Sequence, residues 1–331
     1  MHMQANFSYQ SLTPELQLDA LASIAVYPES GLISLNSYEN RVSLFTDENK
    51  IRYVVKFYRP QHWSEAQLKE EHRFCQVLEK NGCQIASPIE INQQTLFYFQ
   101  GYYFALFNSL SARSMELDNI DILYDVGCAL GKIHRIGAQD SFKHREPLNV
   151  QTMLSNPIKA LRTSTYIPKS LRNPLFSILD ALELEITKQF DNHKHTTIRL
   201  HGDCHASNIL LKNNSPYFVD FDDCKMGPAI QDLWILLSGT KPEKQLQLSM
   251  LLEGYEEEFD FDRNQLCLIE PLRTMRIISH VNWINKRWSD PAFPLSFPWF
   301  ITDQYWKELL QSLKDQLIAL KEAPISLQPN Y

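Results

Sequence analysis

The sequence predicts an α+β protein of two lobes, a small antiparallel-sheet N-terminal lobe over residues 1–107 and a larger helical lobe over residues 108–331. Three observations lead there. Up to about residue 107, short apolar runs are broken by turn residues, with one helical stretch among them. Beyond Asn108 the apolar residues recur at helical spacing. And 331 residues exceed what one hydrophobic core usually supports.

Taken in order, residues 31–36 and 41–45 read as a hairpin around Ser37-Tyr38-Glu39-Asn40. A turn at residues 47–50 leads to a strand over 51–58, in which Ile51, Tyr53, Val55 and Phe57 share one face. Lys56 must point to the other. Ser64 with Gln67 three residues on makes a capping box that starts a helix, and Gly82 ends it.

That helix carries an anomaly. At about 100° per residue, Leu68, Phe74, Cys75, Val77 and Leu78 share a broad face with Glu71 near its middle, while Glu70 lies to the side. A carboxylate on a buried stripe needs a cation or strong hydrogen bonds, because a lone buried charge costs several kcal/mol. Lys56 is the candidate partner; the alternative is a side chain that bends to solvent at the helix edge. Residues 96–100 and 102–107 flank Gly101 as a second hairpin and complete the sheet.

In the helical lobe, Ile120, Leu123, Val126, Leu130 and Ile133 mark a helix over 120–136, and residues 175–190 read similarly. A third helical region runs from Gln245 to the end, rich in tryptophan (Trp283, Trp288, Trp299, Trp306) and broken by Pro291, Pro294 and Pro298.

Composition bounds the function. A formal charge of −7 with no run of Lys or Arg argues against nucleic acid as a partner. No apolar run is long enough to span a bilayer, and Met1 to Gln10 lack the pattern of a secretory leader, so a cytoplasmic protein is expected. Six scattered cysteines without a Cys-x-x-Cys pair suit free thiols in a reducing compartment. With 10 glycines the chain contains neither the Rossmann nor the P-loop glycine motif. The lack of a heptad repeat favours a monomer.

The stretch from His201 to Asp220 carries the chemistry. Two apolar segments, residues 209–212 and 217–219, surround Asn213-Asn214-Ser215 and read as a hairpin. With the turn centred on Asn214, Asn208 and Asp220 are each six residues away and should face one another, at about 4.5–5.5 Å. An amide oxygen and a carboxylate so placed suit a hard cation, and Mg2+ completed by waters and phosphates fits best. Asp203 lies five residues before Asn208, where it can accept a proton from, or orient, an attacking hydroxyl.

His201-x-Asp203-x4-Asn208 followed by Asp220 resembles the catalytic loop and metal-binding Asp of kinases. Its His-Gly-Asp form is similar to that of aminoglycoside phosphotransferases and choline kinases. Lys56 in Val54-Val55-Lys56-Phe57 then resembles the phosphate-gripping lysine, and Glu71 its helix partner. Several blocks narrow this further: residues 36–41, 54–60, 200–205, 227–234 and 287–294. In this order they resemble a family of bacterial stress-response serine/threonine protein kinases, which implies a protein-kinase-like fold.

The resemblance implies ATP as co-substrate, with Asp203 as proton acceptor, Asn208 and Asp220 as Mg2+ ligands, and Ser37 with Lys56 at the phosphates. It implies a Ser or Thr acceptor on protein, autophosphorylation included, and adenine placed against residues 107–110. The chain departs from protein kinases in two places. Its phosphate loop has no glycine between Leu32 and Phe45, and Asp222 stands where the Asp-Phe-Gly motif has glycine.

Other residues have milder explanations. Asp232 reads as a helix N-cap or as a holder of the catalytic-loop backbone, and His134 as a packing or hydrogen-bonding residue. Three rival functions remain. His201, Asp203 and His205 could be ligands of a hydrolytic metal centre, although the companion motifs of metallophosphatases are missing. A pseudokinase would bind nucleotide without transfer. A small-molecule hydroxyl kinase would share the whole catalytic apparatus, with its acceptor chosen by residues 148–195 and the aromatic C-terminal region.

Overall fold

The computed structural model describes residues 11–35, 37–115 and 120–327. The reading of Met1 to Gln10 as free of a leader, and Asn36 in the first loop, lie outside the described residues.

In chain order the elements begin with helix α1 (Pro14–Ala22), strands β1 (Ile33–Ser34), β2 (Arg41–Thr46) and β3 (Arg52–Phe57), and helix α2 (Glu65–Lys80). Strands β4 (Phe97–Phe99), β5 (Tyr102–Asn108) and β6 (Arg113–Ser114) precede helices α3 (Ile120–Gly137), α4 (Asn156–Arg162) and α5 (Lys169–Asn192). Four short strands follow: β7 (Ile198–Leu200), β8 (Ile209–Lys212), β9 (Ser215–Phe218) and β10 (Lys225–Gly227). Helices α6 (Ile230–Trp234), α7 (Lys241–Glu256), α8 (Ile269–Arg287), α9 (Ala292–Ser296) and α10 (Asp303–Ala319) complete the chain. The α+β expectation holds: an antiparallel sheet comes first and a mainly helical remainder follows.

Two compact units divide the residues. The first comprises Met1–Met115, Lys143–Arg145 and Ala206–Asp222; the second takes Glu116–Phe142, Glu146–His205 and Asp223–Tyr331. The sequence reading draws a single cut after residue 107, whereas the first unit also recruits later segments. Long-range backbone pairing is the reason. Arg113 of β6 lies opposite Leu211 of β8, and Phe218 of β9 hydrogen-bonds to Gln84 and Ala86.

In the first unit, five antiparallel strands run in the order β1-β2-β3-β5-β4. Alternation along β3 sends Tyr53, Val55 and Phe57 into a core with Phe45, Phe104 and Leu21. The rings of Phe57 and Phe104 stack 5.2 Å apart, and burial of each such side chain contributes roughly 1.5–3 kcal/mol. Lys56 is on the other face, where Tyr58 packs with Ala105 and with Leu68 of α2. Ile51, expected on the core face, is 46% exposed. Its N–H is used by the preceding turn, donating to Asp47 Oδ1 at 2.8 Å, so the strand begins one residue later.

Helix α2 starts with the expected capping box, Ser64 and Gln67 bonding reciprocally. Its buried residues are Leu68, Glu71, His72, Phe74, Cys75 and Leu78, so Glu71 is buried rather than turned to solvent.

In the second unit, Leu123, Val126, Leu130 and Ile133 of α3 are buried as their spacing predicts. Glycines bring α3 and α7 to backbone contact: a Cβ on Gly127 would lie 2.0 Å from the Leu251 oxygen, and one on Gly254 2.0 Å from that of Tyr124. The C-terminal aromatics pack edge to face, Trp283 against Phe293 and Phe297. Among the described residues no helix is long and apolar enough to cross a membrane.

Candidate active site

Lys56 anchors the first unit's cluster from the middle of β3, where its backbone is paired on both sides, opposite Val42 and Ala105. Its ammonium lies 2.7 Å from Asp220 Oδ1, 3.2 Å from Asp222 Oδ1 and 3.9 Å from Glu71 Oε1. The pairing with Glu71 read from the helix face exists, but it is the longest of the three. Burial alone would lower the lysine's pKa, and the three carboxylates reverse this and push it well above its usual value.

Glu71 has a stronger partner that the spacing did not reveal. Arg145 donates from Nη2 to Glu71 Oε2 at 2.9 Å, from Nη1 to the Asp222 carbonyl at 2.6 Å and from Nε to the Gln67 carbonyl at 3.0 Å. Its guanidinium lies 4.6 Å from the Trp63 ring centre. Glu70, read as a side residue, accepts the backbone N–H groups of Lys143, His144 and Arg145 and so fixes the segment that presents Arg145. Burial drives the Glu71 carboxyl up to about 7, against the attraction of Lys56 and with the repulsion of Asp222. Asp222 goes the other way, to about 2: burial opposes its ionisation, but Lys56, His62 and Arg145 outweigh it, and Asn40 donates to Oδ2 at 3.2 Å.

His72, beside Glu71, was also missed. Its Nε2 is 2.7 Å from the Tyr58 hydroxyl and its Nδ1 2.9 Å from Thr95 Oγ1. Burial, reinforced by the charges of Lys56 and Arg145, depresses its pKa to about 3, so the ring is neutral at working pH. The Tyr58 ring in turn lies 5.0 Å below the Lys56 ammonium.

Ser37 sits half-buried in the loop between β1 and β2. Arg59 and Asn40 tie that loop down in place of glycine turns. Arg59 donates to the carbonyls of Glu39 at 3.0 Å and Tyr38 at 3.2 Å, and its N–H goes to Asn40 Oδ1 at 3.1 Å.

The predicted hairpin forms, with a register one residue from that expected. Ile209 pairs with Phe218 and Lys212 with Ser215, so Asn208 stands opposite Val219, whose N–H donates to the Asn208 carbonyl at 3.0 Å. The turn is the two residues Asn213-Asn214, both at positive φ (51° and 64°), rather than a turn centred on Asn214. Asn tolerates that region, and such turns match strand twist. Asp220 is therefore diagonal to Asn208 and leaves the strand with φ of 63°.

The second unit holds the other functional loop. Asp232 is fully buried in α6 and accepts the backbone N–H of His201 at 2.7 Å and of Gly202 at 2.9 Å, with His134 Nε2 at 3.1 Å. His134 Nδ1 reaches the Tyr255 hydroxyl at 3.0 Å. Asp232 is not an N-cap, since α6 begins two residues earlier; its carboxylate holds the loop backbone. His134 is the hydrogen-bonding residue its sequence position suggested. Gly202 has φ of 87°, and a Cβ there would lie 2.1 Å from the Asp223 carbonyl oxygen, so only glycine fits.

Asp203 is gripped by Arg276 of α8 on Oδ1, and His205 Nε2 lies 3.4 Å from Oδ2. The Asp203 N–H donates to His201 Nδ1 at 3.3 Å. His201 itself is fully buried. With that nitrogen occupied, the hydrolytic-metal reading of His201, Asp203 and His205 loses one of its donors.

The sheet lysine with its helix glutamate in the first unit, and the His-Gly-Asp loop held by Asp232 in the second, are each features of a phosphotransferase of kinase-like fold. The chain belongs to the phosphotransferase enzyme family (APH), whose model matches residues 32–267. It is 43% identical over 325 residues to stress response kinase A of Escherichia coli (strain K12), covering 98% of each chain. The same identity and coverage relate it to the serine/threonine protein kinase RdoA of Salmonella typhimurium (strain LT2). Among solved structures, amicoumacin kinase hAmiN in complex with AMP-PNP, Ca2+ and Ami superposes with a TM-score of 0.75 at 18% identity, covering 98% of both chains.

Proposed function

We propose that this phosphotransferase is an ATP- and Mg2+-dependent kinase that phosphorylates Ser and Thr hydroxyls of proteins, itself included, in a bacterial stress response. The observation that carries the reading is the near-full-length 43% identity to stress response kinases, one of them named as a serine/threonine protein kinase. The residues required for transfer are all present.

The first unit is assigned the nucleotide. Lys56 and Ser37 bind its phosphates, Glu71 orients Lys56, and residues 107–110 take the adenine. Asn208 and Asp220 would hold Mg2+: both offer oxygen donors, and the Asp220 side chain is 50% exposed and so open to a ligand. The ion would neutralise charge on the phosphates during transfer. Lys56 at 2.7 Å balances the Asp220 carboxylate.

Asp203 accepts the proton of the acceptor hydroxyl. The acceptor oxygen forms its bond to the γ-phosphorus as the bond to the β–γ bridging oxygen breaks. ADP departs with that electron pair, and the phosphorylated acceptor remains.

Labelled ATP and Mg2+ offered to generic protein substrates and a panel of small alcohols test this. Label should appear on Ser and Thr of protein, and Asp203→Asn should lower turnover by about 10²-fold or more with nucleotide affinity retained. Label confined to a small alcohol would replace the acceptor assignment, and near-normal transfer by Asp203→Asn would remove Asp203 as the proton acceptor.

A further inference from the structure

Asp203 is held by a side chain that the catalytic-loop motif does not contain. Arg276 comes from α8, 73 residues further along the chain, and bonds to Oδ1, while His205 occupies Oδ2 from the loop itself. An aspartate on a loop turns freely about two side-chain bonds, whereas a base must meet the departing proton within about 2.6–3.2 Å. A guanidinium is a planar fork that sets the plane of the carboxylate it binds. Each carboxylate oxygen offers about two acceptor positions, so one donor on each oxygen fixes the plane of the group without exhausting what it can accept.

Magnitude separates a structural role from a functional one. The Arg276 side chain is 39% exposed and that of Asp203 23%. Ion pairs that open to solvent add little to stability. Orientation has no such ceiling, since small misplacements of a catalytic group can cost about 10²-fold in rate.

We propose that Arg276 is a positioning residue for phosphoryl transfer, fixing the Asp203 carboxylate so that one acceptor position stays directed at the incoming hydroxyl. This rests on the assignment of Asp203 as proton acceptor. The pair also sets the charge state of the base. Burial raises the Asp203 pKa, but the hydrogen bond from His205 and the charge of Arg276 outweigh it and hold the carboxyl well below the usual range. The other titratable groups around it are His201 and Cys204 on its own loop and His280, one turn beyond Arg276 on α8. None replaces the guanidinium as a permanent positive charge.

The test is the pH profile of kcat/KM for wild type, Arg276→Met, Arg276→Gln and Arg276→Lys, with Asp203→Asn in parallel and circular dichroism to verify folding. Arg276→Met and Arg276→Gln should lower kcat by about 10- to 10²-fold, leave KM for ATP unchanged, and move the acid limb upward by about one pH unit or more. Arg276→Lys should return the limb toward wild type and recover kcat only in part, because an ammonium restores charge but not the fork. An acid limb that stays in place in folded Arg276→Met or Arg276→Gln overturns the proposal, whatever their activity. Full activity in Asp203→Asn overturns the underlying base assignment, a distinguishable result.

Discussion

The two units secure their buried carboxylates by opposite means. Around Lys56, charge meets charge on long side chains: Glu71 is held by Lys56 and Arg145, and the Asp222 carboxylate by Lys56. Around Asp232, a carboxylate meets backbone N–H groups and one imidazole, in a site with no exposure at all. Side-chain ion pairs can exchange partners, as Lys56 would do in the phosphate-binding role proposed for it. Bonds to consecutive backbone amides can be lost only if the loop itself unfolds. The contrast matches the tasks assigned to each cluster, yielding to a ligand in one and keeping a loop invariant in the other.

The largest effect expected from breaking this contrast is at Asp232. Asp232→Ala leaves the His201 and Gly202 N–H groups and His134 without their acceptor in the interior, at a cost of about 3–5 kcal/mol. Urea unfolding measures it, and a loss below about 1 kcal/mol would show that the loop is held otherwise. Transfer activity should fall with it.

Arg145→Met should cost less, about 1–3 kcal/mol at neutral pH. Glu71 is already poised near neutrality at about 7, so it can take up a proton when its partner is removed. Adding Glu71→Gln to Arg145→Met should recover part of the loss. If Arg145→Met instead proves as damaging as Asp232→Ala, the two clusters are equally rigid.

The smallest effect is a pH dependence at His72. Its folded pKa of about 3 lies below the unfolded value of 6.5, so its contribution is complete above pH 6.5 and is lost as pH falls toward 3. At pH 5 the loss amounts to about 2 kcal/mol. His72→Gln should abolish this part of the acid sensitivity, read as the difference in unfolding free energy between pH 7 and pH 5 for the two proteins.

Much of this was legible in the sequence because it depends on neighbours. Ser64 and Gln67 announce the start of α2 three residues apart, and the 3.6-residue period puts Glu71 on a buried face before any partner is known. Asn213-Asn214 announces a turn. Its register was misjudged by one residue because the choice between a two-residue and a longer turn depends on both Asn residues taking positive φ. Ile51 was misplaced because a turn aspartate took its N–H, a competition that alternation does not register.

The sequence by itself determined the α+β order, the lysine and glutamate on facing elements, and the loop from His201 to Asp220, since each follows from periodicity, capping or turn chemistry within a short span. Only the tertiary structure decided that Arg145 shares Glu71, that His134 and Asp232 hold the loop, and that Arg276 grips Asp203. Those partners lie far apart along the chain, from 30 residues between Gly202 and Asp232 to 98 between His134 and Asp232. Spacing carries no information at that range; burial does, because a carboxylate taken out of water must find a donor wherever the fold brings one.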